Sequence, residues 1–187
     1  MYKQCKTEQS SKRQRQLEQG LLEAMKQRRF EEISVSDFCD GMQIPRKSFY
    51  RYFEGKEGAL YSLIDHVLQD YELYTIPRLA ENSTALDYME QIFCYWKERR
   101  EVLDCLERSG LEAILIQRAL VRANEEASHP IRFLDYRLQA DPKHTNMFVV
   151  CGLMSMVIQW HHDGYPETVR HMAQTALRLL TKPLVSL

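Results

Sequence analysis

Residues 33–56, ISVSDFCDGMQIPRKSFYRYFEGK, constrain this chain more tightly than any other stretch, because they punctuate two short helices in quick succession. Ser34 followed by Asp37 fits a capping box, in which the hydroxyl satisfies an orphan backbone N–H and the carboxylate reaches back to the cap residue's own N–H. Phe38 and Met42 are four apart and share a face with Val35, while Ser36, Asp37 and Asp40 point away from it. Gly41 and Gln43 interrupt the run. Pro45, with no N–H to donate, suits the first turn of a new helix, so the second helix is expected to open at about that residue. Phe49 and Phe53 then anchor one face and leave Arg46, Lys47, Ser48, Tyr50, Arg51 and Tyr52 mostly on the others.

Two short helices joined by a tight turn, the second basic and aromatic, make a helix-turn-helix. In that geometry the first residues of the second helix meet base edges in the major groove, which is where Arg46 and Lys47 stand. Guanine is the preferred partner of an arginine. Tyr50 and Tyr52 would donate hydroxyls to phosphates, a role that packing between helices does not exclude for Tyr52. Ser34 and Ser36 could also meet the phosphate backbone, although a helix cap accounts for Ser34 as well. Lys56 opens the next helix, where free backbone N–H groups and the positive end of the dipole favour a phosphate. The expected DNA-contacting set is therefore Ser34, Ser36, Arg46, Lys47, Ser48, Tyr50, Arg51, Tyr52 and Lys56, set against the plainer reading of a solvated basic surface.

Charge points the same way. Residues 1–58 hold 12 Lys and Arg against 9 Asp and Glu, whereas 59–187 hold 13 against 17, so the modest positive surplus lies at the N-terminal end. A content of 44% hydrophobic residues in 187 is enough for a sizeable core. Cys5, Cys39, Cys94, Cys105 and Cys151 are odd in number, widely spaced and without a Cys-x-x-Cys, which argues for reduced thiols in a cytoplasmic protein rather than a disulfide framework or zinc site. No apolar stretch opens the chain as a secretory signal would. The long apolar run Met147–Trp160 falls short of the ~20 residues of a membrane span, so a buried helix and no membrane partner are expected.

Helical spacing recurs along the rest. The first residues read as a frayed arm, followed by a helix from about Glu8 to Arg28 on the stripe Leu17, Leu21, Leu22 and Met25. A long helix runs from Lys56 toward Pro77, another from Thr84 to Arg100, a short continuation stops at Ser109-Gly110, and the next ends at about Ala127. Residues 128–143, with Pro130 and Pro142, read as a loop. Thr145–His162 is apolar on nearly all sides and so needs more than one neighbour. The last helix, about Pro166–Thr181, completes an apolar pair whose simplest extra use is a four-helix bundle between two subunits, through Met154, Ile158, Val169, Met172, Ala173, Ala176, Leu177 and Leu180.

The run FYRYFEGKEGAL at 49–60, behind its capped helix and turn, resembles the signature of TetR/AcrR-type transcriptional regulators, and the C-terminal stretch from Cys151 to Leu180 more weakly resembles their last helix pair. The family usually has Gly where Gln43 stands and a small residue where Lys47 stands. The resemblance implies a one-component repressor, with an N-terminal three-helix DNA-binding domain and a helical C-terminal domain that dimerises and often holds a small ligand. The expected fold is all-α with about nine helices, divided into a helix-turn-helix domain at 1–55 and a regulatory and dimerisation domain at 56–187.

The expected partners are double-stranded DNA with a palindromic operator, a second copy of the chain and a small apolar or aromatic effector. A cavity for that effector is expected from Tyr71, Met89, Phe93, Trp96, Phe133, Tyr136 and Phe148, each of which also reads as plain core. No cofactor and no metal are expected, because the adjacent His161 and His162 point to different faces and no His-x-x-x-His with a carboxylate stands near. Enzyme chemistry is not expected, since neither a Gly-x-Ser-x-Gly nor a phosphate-cradling glycine loop is present. A ligand-independent protein-interaction module on the same fold is the alternative.

Overall fold

The computed structural model describes residues 1–3, 5, 7–79, 82–125 and 142–181. Among them the chain forms nine α-helices: α1 Glu8–Gln27, α2 Val35–Gly41, α3 Arg46–Tyr50, α4 Lys56–Thr75, α5 Ala85–Glu98, α6 Arg100–Arg108, α7 Glu112–Glu125, α8 Pro142–His162 and α9 Val169–Thr181. The all-helical expectation holds. Much of the loop expected at 128–143 lies outside the described residues, as do Phe133 and Tyr136. The last helix opens at Val169 rather than Pro166, because Gly164 and Tyr165 take left-handed backbone after α8 and the Thr168 hydroxyl accepts from the His171 N–H at 3.2 Å as a cap.

The chain divides into two compact units, Met1–Val67 with Glu101–Leu115, and Leu68–Arg100 with Ile116–Leu187. In the first, the predicted stripe of α1 is buried at Leu17, Leu21, Leu22 and Met25, together with Phe38, Phe49 and Phe53 of the helix-turn-helix and Leu60, Leu63 and Ile64 of α4. α1 lies so close to the end of α2 that a Cβ on Gly20 would stand 2.3 Å from the Met42 sulfur, so a larger residue there requires that flexible side chain to move aside.

A polar chain ties α1 to α4 inside this core. The buried Gln14 amide donates to Ser62 Oγ (3.0 Å), Ser62 donates to Glu18 Oε1 (2.6 Å), and His66 Nδ1 lies 2.7 Å from Glu18 Oε2. Glu18 is only 2% exposed, so its carboxylate depends on these partners in place of water.

Residues 1–3 are not a frayed arm. Lys3 N–H donates to Tyr52 O (2.9 Å), Glu54 N–H donates to Met1 O (3.1 Å), and the Tyr2 hydroxyl donates to Asp65 (2.5 Å). Met1 carbonyl rests on Gly58, where a Cβ would come within 2.2 Å of its oxygen. The start of the chain is thus a strap laid over the end of the helix-turn-helix and the beginning of α4.

α6 belongs to the same unit through an exchange of helix ends. Arg108 Nη1 donates to Lys26 O and Met25 O at the C-terminus of α1, Arg29 Nε donates to Arg108 O (3.1 Å), and Phe30 N–H donates to Ser109 Oγ (3.0 Å). Each helix end supplies the cation that the other's orphan carbonyls need. Lys26 Nζ adds an ion pair with Glu101 at 2.7 Å.

In the second unit α9 packs on α5, with Met172, Ala173 and Ala176 buried and Arg170 paired to Glu90 at 3.0 Å. Phe93 and Trp160 meet edge to face, 5.7 Å between ring centres, which joins α5 to α8. All five cysteines are free thiols. Among the described residues no helix is long and apolar enough to cross a membrane.

Replacing Glu18 by Ala strips Ser62 and His66 of their shared acceptor inside the core. Urea unfolding of Glu18→Ala is expected to show a loss of about 2–4 kcal/mol, against less than about 0.5 kcal/mol for the exposed Glu23→Ala.

Candidate nucleic-acid interface

Local chemistry starts both helices of the helix-turn-helix close to where the sequence places them, although only the hydroxyl half of the expected Ser34–Asp37 capping box is formed. The Ser34 hydroxyl accepts from the Asp37 N–H at 3.0 Å and starts α2. Pro45 caps α3 with φ −63°, and its carbonyl accepts from Ser48 N–H at 2.8 Å. α3 has only five residues, too few to be stable alone, and it is held by Phe49, which is 2% exposed and meets Phe38 of α2 at 5.5 Å and Phe53 at 5.2 Å between ring centres.

Gln43 stands where the turn needs its special backbone. Its φ is 54°, its N–H donates to Asp40 O (3.0 Å), and the next N–H, of Ile44, donates to Cys39 O (2.9 Å). These two bonds are the pair of a Schellman ending, in which the left-handed residue is usually glycine. Gln43 therefore makes the turn that glycine would make, at a cost in strain and not in shape.

With Phe49 turned inward, Arg46, Lys47, Tyr50 and Arg51 stand exposed, and Ser48 is half-buried between them. The helix presents its cations and one phenol on a single solvent-facing surface. Two other candidates are placed differently. Tyr52 is buried, with its carbonyl accepting from the strap at Lys3, so packing takes most of its side chain. Lys56 directs its ammonium at the carbonyls of Phe30 (2.8 Å) and Glu31 (3.0 Å) and lies 4.7 Å from the centre of the Phe30 ring, which ties α4 to the turn after α1. Ser34 is exposed and occupied as a cap, and Ser36 is half-buried one turn into α2.

No family model matches this sequence. Over 51 residues it is 49% identical to the HTH-type transcriptional regulator EthR of Mycolicibacterium smegmatis, a stretch that covers 27% of this chain and 22% of that regulator. The resemblance to TetR/AcrR-type regulators is borne out by that match. The shared stretch spans about a fifth of the curated relative's length. In overall fold the chain is similar to the fatty acid degradation regulator FadR from Bacillus halodurans, with a TM-score of 0.64 and 12% identity over 97% of this chain and 98% of that one. The relative that shares sequence is a helix-turn-helix transcriptional regulator.

The supposed cavity residues are distributed unevenly. Met89, Phe93 and Trp96 are at most 3% exposed, and Tyr71 sits half-buried at the C-terminal half of α4, whereas Phe148 is 67% exposed. The supposed interface residues divide as well. Met154, Met172, Ala173 and Ala176 are spent inside the subunit, and Ile158, Val169, Leu177 and Leu180 remain partly open.

The Schellman geometry yields a test at Gln43. Left-handed backbone costs a residue with a Cβ about 1–2 kcal/mol, and glycine gives back part of that gain as unfolded-state entropy. Gln43→Gly is expected to leave thermal stability unchanged or raise it by up to about 1 kcal/mol, while the β-branched Gln43→Val lowers it by at least about 1 kcal/mol. Calorimetric unfolding of the two variants reads the difference.

Proposed function

We propose that this chain is a homodimeric, sequence-specific DNA-binding transcriptional regulator, a repressor whose hold on its operator is released when a small molecule binds its C-terminal helical region. The observation that carries this reading is the five-residue α3, fixed from behind by Phe49 and offering Arg46, Lys47, Tyr50 and Arg51 to solvent. Arginine and lysine at the start of such a helix are suited to the O6 and N7 acceptors of guanine, and Tyr50 and Arg51 to flanking phosphates. The match to a helix-turn-helix regulator supports the same chemistry.

One α3 reads too few base pairs to be selective, and a two-fold copy supplies the second half-site about one helical turn away, ~35 Å. The exposed stripe of α8 favours a second copy as partner. Phe148, Gly152, Ser155, Gln159 and His162 recur at helical spacing along its open face, with Ile158 beside them. An apolar ring at one end and small residues in the middle suit close packing against the same helix of another subunit. The interface proposed here is thus centred on α8 with Leu177 and Leu180 of α9, and not on the α9 face that α5 already covers.

Selection of bound duplexes from a random pool tests the reading. The expected result is an enriched palindrome that Arg46→Ala/Lys47→Ala no longer selects, with specific affinity down by about a hundredfold or more, since each good base contact discriminates by ~1–3 kcal/mol and the dimer makes it twice. Failure of the unmodified protein to enrich any sequence, alone or with effector candidates, would sink it. Phe148→Asp places a charge on an already exposed position, so the fold should survive. Sedimentation equilibrium is expected to show a dimer for the parent chain and a dissociation constant at least about a hundredfold higher for the variant, from two lost anchors of ~1.5–3 kcal/mol each.

A further inference from the structure

Within the second unit, the C-terminal part of α4 and the facing side of α5 bring together a group of side chains that neither the reading head nor the packing accounts for. Tyr71 and Tyr74 both meet Tyr95 edge to face, at 5.3 and 5.2 Å between ring centres. Arg78 lies flat on Tyr74, its guanidinium carbon 3.7 Å from the ring centre, and Arg99 lies 3.8 Å from the centre of Tyr95 and 5.6 Å from that of Tyr74. Two guanidinium groups therefore share the Tyr74 ring, and Arg99 also covers Tyr95. Among the described residues neither stands in an ion pair, and only one N–H of Arg78 is taken, by the Tyr74 carbonyl at 2.8 Å. Glu98, the nearest carboxylate along α5, accepts the Tyr74 hydroxyl at 2.7 Å.

Two polar atoms on these elements are buried without partners, the Tyr71 hydroxyl of α4 and the side-chain oxygen of Gln91, which stands one turn before Tyr95 on α5. Burial pushes the Tyr71 phenol up to about 12, so it is a neutral donor at any physiological pH. The neighbouring Thr75 gives its own proton to the Tyr71 carbonyl at 2.7 Å. Leaving a donor and an acceptor unpaired in an apolar setting is costly, and such groups in a native fold call for an explanation in function.

We propose that this cluster is a binding site for a small aromatic hydroxy acid, whose carboxylate is held between Arg78 and Arg99 and whose hydroxyl accepts from Tyr71 and donates to Gln91. The pattern of groups selects that chemistry. Paired guanidinium forks suit a carboxylate, the tyrosine rings suit a flat apolar body, and an orphan donor on α4 with an orphan acceptor on α5 suits a hydroxyl, which is both. That this ligand also acts as the effector rests on the regulator proposed above; the binding itself does not.

Isothermal titration of the full chain without DNA separates the two claims. The probes are 4-hydroxybenzoate and 4-hydroxycinnamate, with benzoate, 4-methylphenol and inorganic phosphate for comparison. The expected result is saturable binding of a hydroxy acid, at least about tenfold tighter than benzoate, 4-methylphenol or phosphate. Arg99→Gln and Arg78→Gln should each weaken it about tenfold, Arg99→Lys should weaken it less than Arg99→Gln, and Tyr71→Phe should erase the preference over benzoate while circular dichroism stays unchanged. Absence of binding by both hydroxy acids at millimolar concentration overturns the proposal, and so does binding that both arginine substitutions leave intact. Operator retention is then measured with the tightest probe. Binding without any change in retention leaves the site standing and removes only its role as effector.

Discussion

The reading surface depends on one aromatic contact set, Phe49 against Phe38 and Phe53. A helix of five residues carries almost no stability of its own, because nucleation has to be offset before any backbone bond adds to it. Its conformation is imposed by the burial of Phe49 at 2% exposure, which contributes roughly 1.5–3 kcal/mol and fixes the direction in which Arg46 and Lys47 leave the backbone. The Schellman turn at Gln43 sets the angle of entry, and the strap at Met1–Lys3 pairs with Tyr52 and Glu54 at the exit.

Much of this was legible in the sequence because it is local. Ser34 and Pro45 announce helix starts through bonds that their own side chains or ring can or cannot make, and Phe49 and Phe53 declare a face by spacing alone. The two ends of the head were not legible for the opposite reason. The strap works through main-chain atoms, which carry no residue signature, and through Tyr2, whose partner Asp65 is far along the chain. Lys56 shows the same limit: an ammonium at a helix start can meet a phosphate or a carbonyl, and only the fold of Phe30–Glu32 brings two carbonyls to it.

The C-terminal region shows a related limit. An α8 that is apolar all round says that several neighbours exist without saying which face each one takes. Periodicity correctly grouped Met172, Ala173 and Ala176 on one side of α9, but the partner on that side is α5 of the same chain. Among the described residues the exposed face of α8 is the one that periodicity scored as least regular, from Phe148 through Ser155 to His162. Among the aromatics, too, pattern alone could not separate the packed Phe93 and Trp96 from Tyr71, whose hydroxyl is left unpaired.

α6 is joined to the end of α1 by reciprocal caps. Its C-terminal carbonyl at Arg108 is capped by Arg29, while its own Arg108 caps the end of α1, and Ser109 holds the N–H of Phe30. Phe30 and Glu31 are in turn the residues whose carbonyls anchor Lys56 of α4. A displacement of α6 cannot be absorbed at one bond, because each arginine is both donor to the other helix and part of the end being capped. It must either carry the α1–α2 corner with it or expose several orphan carbonyls together, each costing about 1–3 kcal/mol. Carrying the corner is the cheaper course, and α2 with its Phe38 seat for Phe49 lies directly beyond it in the chain. The same bonds thus bind α6 and the α1–α2 corner into one assembly.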